Sequence, residues 1–280
     1  ESKGHERKDG AGLVPSDPSM LFTSAGMVQF KDIFWGRAEP SDSRVTTCQK
    51  CFRATDIDRV GKTWYHHTFF EMLGNFSFGD YFKRGAIEMA WEFVSEVLGL
   101  PEEKLWVSVY KEDDRAYEIW RDEIGVPERK IVRLGKEENW WGPAGETGPC
   151  GPDTEMFIEL DQPKCSESCD INCKCGKYVE VWNDVFMQYN KTAQGRYEPL
   201  EQKNVDTGMG LERMTAVMQG KTSPYETELF NGIFSKISEM SGATAPYDNC
   251  SGRIVAEHMR AATFLLADGV QPGNVDQSYI

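Results

Sequence analysis

The chain has 280 residues, 40% hydrophobic and 27% charged, with a net charge of -14. That length suits one large domain or two modest ones, and the composition is that of a globular protein, not a fibrous or disordered one. No apolar run approaches a membrane span and no signal-peptide pattern opens the chain, while the acidity disfavours broad, sequence-independent binding to nucleic acid.

In chain order, Glu1 to Gly12 is polar and reads as the tail of a missing element. Gln277-Ser278-Tyr279-Ile280 stops without a cap. Both ends look cut, so a fragment is expected. Residues 85–99 carry Ile87, Ala90, Trp91, Val94 and Leu98 at helical spacing, which predicts an amphipathic helix. Leu105, Val107 and Val109 alternate, as do Met156, Ile158 and Leu160; both runs predict half-buried strands. Residues 178–188 also alternate, placing Val179, Val181, Asn183, Val185 and Met187 on one face. An Asn on an apolar face suggests that this face meets a ligand. Residues 205–213 read as a strand, a Gly-rich turn and a helix beginning near Leu211. After Ser241, Val255, Met259, Ala262 and Leu266 predict a helical module.

Eight cysteines in a chain this large do not make a disulfide scaffold. Reduced thiols and a cytoplasmic location are expected. Cys165, Cys169, Cys173 and Cys175 crowd a polar insertion over residues 163–177. Four thiolates this close can surround one tetrahedral, structural Zn²⁺; the alternative is a reduced cysteine-rich loop. Cys48 and Cys51 have no second pair and are expected to be ordinary thiols on a strand.

The most specific text is His66-His67-Thr68-Phe69-Phe70-Glu71-Met72-Leu73-Gly74-Asn75-Phe76-Ser77-Phe78-Gly79-Asp80-Tyr81-Phe82. Aromatic faces, polar groups and glycines in one run suit a wall of a nucleotide pocket. Leu21-Phe22-Thr23-Ser24-Ala25-Gly26-Met27, Thr147-Gly148-Pro149-Cys150-Gly151-Pro152 and Asp206-Thr207-Gly208-Met209-Gly210-Leu211-Glu212-Arg213 accompany it. Together they resemble the alanyl-tRNA synthetases, which are class II aminoacyl-tRNA synthetases, in order and over nearly the whole chain.

The resemblance implies an α+β fold: the class II aminoacyl-tRNA synthetase catalytic core, a mainly antiparallel sheet flanked by helices, followed by the start of a helical domain. It implies an aminoacylation domain over residues 1–240 and the beginning of a helical tRNA-recognition domain over 241–280. The implied activity is ATP-dependent activation of L-alanine and transfer to the acceptor end of tRNA(Ala), with Mg²⁺, in a fragment expected to be monomeric. Arg53 would hold the α-phosphate, its planar fork of donors matching phosphate oxygens. Phe70 and Arg213 would enclose the adenine. Asp206 would pair with the alanine ammonium. Gly208 and Gly210 would leave room for substrate, and Trp141, Asn183 and Val185 would wall the alanine pocket.

The loop after Arg53 departs from the family. Its usual Lys and His are missing, and Asp56 and Asp58 stand in for the two acids, with Asp58 assigned to the nucleotide site. Phe76, Phe78 and Trp140 are expected to be packing residues; His66 and His67 offer partners for phosphate or ribose, against the commoner structural role of a histidine taken alone. The four histidines include no His-x-x-x-His pair, so no editing site is expected. A rival reading is a non-catalytic synthetase-like protein that binds nucleotide or amino acid. The shortened loop favours it; the retained Arg53, Asp206 and Arg213 favour the enzyme.

Overall fold

The computed structural model describes residues 2–173, 175–275 and 277. Ser278, Tyr279 and Ile280, part of the expected uncapped chain end, lie outside the described residues.

In chain order the elements are β1 (Glu6–Arg7), α1 (Lys31–Phe34), β2 (Arg44–Phe52), β3 (Phe69–Phe78), α2 (Lys83–Trp91), β4 (Leu105–Tyr110), α3 (Asp114–Glu118), β5 (Ile131–Leu134), β6 (Trp140–Trp141), β7 (Gly148–Glu159), β8 (Tyr178–Lys191), β9 (Tyr197–Gly210), α4 (Leu211–Met218), α5 (Glu228–Ser241) and α6 (Cys250–Ala267). The strands follow the order β1-β2-β3-β9-β8-β7-β4-β5, with β6 pairing β7. The β4–β7, β6–β7, β7–β8 and β8–β9 ladders are antiparallel; β1–β2 and β4–β5 are parallel. The fold is α+β with a mainly antiparallel sheet, as the resemblance implied. Two compact units divide the chain, and β2, β3 and β9 contribute residues to both.

The first unit holds the segments up to Lys8, Phe30–Thr46 and Gly74–Met209. Its core follows the predicted alternation: Leu105, Val107 and Val109 are fully buried, opposite Ile158, Met156 and Thr154. Buried Trp120 donates its indole N–H to Thr154 Oγ1 at 2.8 Å, so this polar atom does not go unpaired in the core. Phe76 and Phe78 pack against Phe30 and Phe34, as expected of packing residues. The predicted helix over 85–99 is α2, which widens into a π-helical turn over Glu92–Val97 and buries Ile87, Ala90 and Val94.

The predicted single face of β8 needs correction. Met156 pairs with Trp182 but Phe157 pairs with Glu180, so Val181 is an extra residue in a β-bulge. Beyond it the alternation reverses. Glu180 takes the register of the face that carries Asn183 and Val185, and Val179 takes the opposite one. Apolar alternation cannot show this, because Val179 and Val181 are buried in either register.

The second unit holds Asp9–Gln29, Thr47–Leu73 and the chain from Gly210 on. Leu13, Phe22, Phe52, Phe69, Ala261, Leu265 and Val270 form one core cluster, with Phe69 stacked on Phe264 at 4.1 Å. Tyr225, Phe230, Phe234 and Ala256 form another. The helix expected after Ser241 is present as α6, but turned the other way. Val255, Met259 and Leu266 are 48%, 57% and 53% exposed, whereas Gly252, Ala256, Glu257, Arg260, Ala261 and Leu265 are buried. Small and charged residues make the inner face, so hydropathy pointed to the outer one.

Candidate functional site

In the second unit the residues read as nucleotide-binding stand on β2, β3 and α4. Arg53 directly follows β2. Its N–H donates to Thr68 O at 2.7 Å and its Nε to Ser24 O at 2.9 Å, which ties the residue to the Leu21–Met27 segment. Its guanidinium lies 5.1 Å from the Phe70 ring centre. Arg213, in the first turn of α4, lies 5.1 Å from the Tyr65 ring, a neighbour that sequence reasoning did not name. Gly210 caps that helix, and an added Cβ there would make only an ordinary 3.7 Å contact with Arg213. Asp58 is exposed in the helical turn Ala54–Arg59, and Asp56 faces Arg59 at 3.8 Å.

The two histidines part company. His66 Nδ1 meets Thr63 Oγ1 at 2.7 Å. His67 is stacked on Phe230 and edge-on to Tyr225, and burial pushes it down to about 3, so it is neutral at any working pH.

Glu212, inside the third motif, was not singled out from sequence. It accepts the Glu71 N–H with both oxygens at 3.1 Å and pairs with Arg260 at 2.8 Å. Burial raises its carboxyl, and the Arg260 charge opposes that shift.

In the first unit the residues read as amino-acid-binding are set by strand register. Asn183 pairs with Gly208, and Val185 with Asp206, across β8–β9; on β7 the partners are Glu155 and Asp153. Antiparallel partners share a face. Asn183, Val185, Asp206 and Gly208 therefore lie together, with Asp153 and Glu155 beside them. Asn183 Nδ2 approaches Glu155 Oε1 at 3.4 Å, and Asn139 Nδ2 donates to both Asp153 Oδ1 and Ser108 Oγ at 2.8 Å. Asp206 is 5% exposed and Asp153 2%. Burial pushes Asp153 up to about 8; Glu180 adds to the shift and Asn139 opposes it.

Trp141 sits on β6 opposite Gly151. A Cβ on Gly151 would fall 1.9 Å from Phe186 O, so the lack of a side chain lets β7 lie close to β8. Trp140 is packing, as expected: it stacks on Tyr189, with Lys136 Nζ 4.1 Å from its ring centre.

Asp184 lies on the opposite face of β8, accepts from Trp182 Nε1 at 2.9 Å, and is pushed by burial from 3.8 up to about 7. The folded state therefore holds a proton that the unfolded chain loses near pH 3.8. Its contribution to stability is greatest below that value, declines as pH rises to about 7, and is flat above. Asp184→Asn keeps an acceptor for Trp182 and does not titrate. The melting temperature of the variant minus that of wild type should climb between pH 4 and pH 7 and then level off, by the equivalent of up to about 4 kcal/mol. Melts at half-unit pH steps check this; parallel curves would show that Asp184 carries no proton at neutral pH.

The cysteine-rich insertion closes at its neck, where Lys177 Nζ donates to Gln162 O at 2.7 Å and faces Glu159 at 3.1 Å. The Sγ atoms of Cys165, Cys169, Cys173 and Cys175 all lie within 4.8 Å of one another. A tetrahedral zinc with Zn–S of about 2.3 Å needs S···S separations of about 3.8 Å, so the donor set fits. Cys169 and Ile171 anchor the loop against Phe157 and Tyr178. Cys48 and Cys51 lie on β2, exposed and buried respectively, as expected of ordinary strand thiols.

The family model for tRNA synthetases class II (A) matches residues 1–280. The chain belongs to that family. Among class II synthetases, the alanine–tRNA ligase of Thermotoga petrophila is 56% identical over 286 residues, covering 100% of this chain and 33% of the relative. That of Petrotoga mobilis is 51% identical over 290 residues, with the same coverage. The chain thus spans about a third of the length of these relatives. Apo histidyl-tRNA synthetase of S. aureus aligns over 71% of this chain and 53% of that one, with TM-score 0.43 at 9% identity, so the family assignment stands on sequence. Among the described residues no helix is long and apolar enough to cross a membrane.

Proposed function

We propose that this chain is the aminoacylating portion of an alanine–tRNA ligase. The observation that carries the reading is identity of 51–56% to alanine–tRNA ligases over the whole chain. The placement of the motif residues supports it. In this reading an alanine carboxylate oxygen bonds to the α-phosphorus of ATP as the bond to pyrophosphate breaks. A terminal ribose hydroxyl of tRNA(Ala) then attacks the alanyl carbonyl and AMP leaves. Arg53 holds the α-phosphate, Phe70 and Arg213 hold the base, and Asp58 with Gly210 completes the nucleotide side. Asp206 receives the ammonium, while Trp141, Asn183, Val185 and Gly208 bound the methyl pocket. Mg²⁺, when bound, would neutralise phosphate charge. Positioning and charge stabilisation supply the rate, because the protein forms no bond to substrate. Cys165, Cys169, Cys173 and Cys175 would hold a structural Zn²⁺, with no open position for substrate.

Alanine-dependent exchange of labelled pyrophosphate into ATP tests this on the 280-residue chain. Exchange should require alanine and Mg²⁺. Glycine and serine should follow within a factor of about 10–200, since one methylene or hydroxyl changes binding by only about 1–3 kcal/mol. A folded sample whose exchange is no higher with alanine than without any amino acid overturns the proposal.

A further inference from the structure

The two charged side chains on the buried face of α6 both act on the segments that carry Arg53, Phe70 and Arg213. Glu257, 1% exposed, accepts the N–H of Thr68 at 2.5 Å and of Phe69 at 3.2 Å, and the Thr68 hydroxyl, all through one oxygen. Thr68 in turn accepts the Arg53 N–H. Arg260, 8% exposed, pairs with Glu212 at 2.8 Å and approaches Glu71 at 3.7 Å, with the Phe69 ring 4.8 Å away. Glu212 is the residue before Arg213 and receives the Glu71 N–H, so the ion pair ties α6 to α4 and this hydrogen bond ties α4 to β3.

The start of α6 is itself fixed. Asn249 caps it by accepting the Gly252 N–H at 2.7 Å. A Cβ on Gly252 would fall 1.9 Å from Pro246 O. Arg253 donates twice to Gly61 O, at 2.9 and 2.6 Å.

We propose that α6 is a strut for nucleotide binding, in which Glu257 and Arg260 are positioning residues that set Arg53 and Arg213; this rests on the ATP-binding reading above. Burying two carboxylates and a guanidinium is costly, and apolar side chains would fill the same space without that desolvation. What the charges add is direction. Each hydrogen bond holds a backbone or guanidinium position by its distance and angle. Misplacement of a phosphate-binding group by about 1 Å can cost on the order of 100-fold.

The test uses the whole chain. Calorimetry with ATP and pyrophosphate-exchange kinetics are run on wild type, Arg260→Met, Arg260→Lys, Glu257→Gln and, as a control on the exposed face of the same helix, Met259→Ala. Arg260→Met and Glu257→Gln should raise both the ATP dissociation constant and the ATP KM on the order of tenfold or more. The alanine KM should stay within about twofold, since Asp206 and Asn183 lie on other strands. Arg260→Lys should recover part of the loss, because an ammonium still pairs with Glu212, and Met259→Ala should match wild type. Should Arg260→Met not fold, Glu257→Gln and Arg260→Lys carry the measurement. Unchanged ATP constants in the folded variants, or equal rises for ATP and alanine, overturn the strut. Wild type that binds ATP without exchanging pyrophosphate overturns the catalytic reading alone, and the binding constants still judge α6. Wild type that binds no ATP overturns both.

Discussion

Asp206→Asn should cripple the use of alanine while leaving ATP binding near wild type, and Arg53→Ala should do the reverse. Asp206 is buried, in register with Val185, on the face that carries Asn183. In the proposed complex its carboxylate opposes an ammonium away from water. Removing the charge leaves that ammonium with a neutral partner, at a cost of about 2–4 kcal/mol, or roughly 30- to 1,000-fold in alanine KM. Arg53 sits in the other unit, held by Ser24 and Thr68, with its guanidinium near Phe70. Truncation removes the planar fork and should weaken ATP by a similar factor. Calorimetry with ATP alone, and then with a non-hydrolysable alanyl-adenylate analogue, separates the two. Equal effects of both substitutions on ATP alone would sink the assignment.

The second large effect concerns metal. Purified without added zinc, the chain should carry one zinc per molecule, and Cys169→Ser/Cys173→Ser should carry none. Structural zinc in small modules contributes about 10–16 kcal/mol of apparent binding free energy. Here Ile171 and its apolar neighbours hold part of the loop independently, so local loosening is expected rather than global unfolding. The insertion leads directly into β8, which carries Asn183 and Val185. Amide exchange should therefore speed up along the first half of β8, and the alanine KM should rise while ATP binding stays put. Equal trace zinc in wild type and variant would make the cluster a reduced loop. Full zinc in wild type, with unchanged alanine kinetics after its loss, would keep the metal and discard its link to β8.

The sequence made the fold readable because its motifs are long and ordered and because strands such as β4 alternate cleanly. Strand register puts Asn183 and Val185 on one face, as expected, and brings Asp206 and Gly208 to that face. Two things stayed hidden. The bulge at Val181 leaves no mark in hydropathy, so the place of Glu180 beside Asn183 was invisible. The buried face of α6 is built from Gly252, Ala256, Glu257, Arg260 and Ala261. A pattern search for apolar stripes passes over such a face and selects Val255, Met259 and Leu266, which are exposed. Glu257 and Arg260 reveal their role only through partners near residue 70 and at Glu212, which no local window contains.

Those partners have a bearing on how the chain acquires its structure during synthesis. Thr68 and Glu257 are 189 residues apart, and Asn75 and Thr207, also hydrogen-bonded, 132. Each unit is assembled from three separate stretches of chain; the first has all its residues only once Met209 is made, and the second needs the chain from Gly210 on. Contacts this distant in sequence close late and slow folding, because chain entropy is lost before they form. As the polypeptide emerges, the Thr68 amide just before β3 must therefore wait for Glu257 of α6. During that interval Phe69, which later stacks on Phe264 of α6, is open to contact with other unfinished chains.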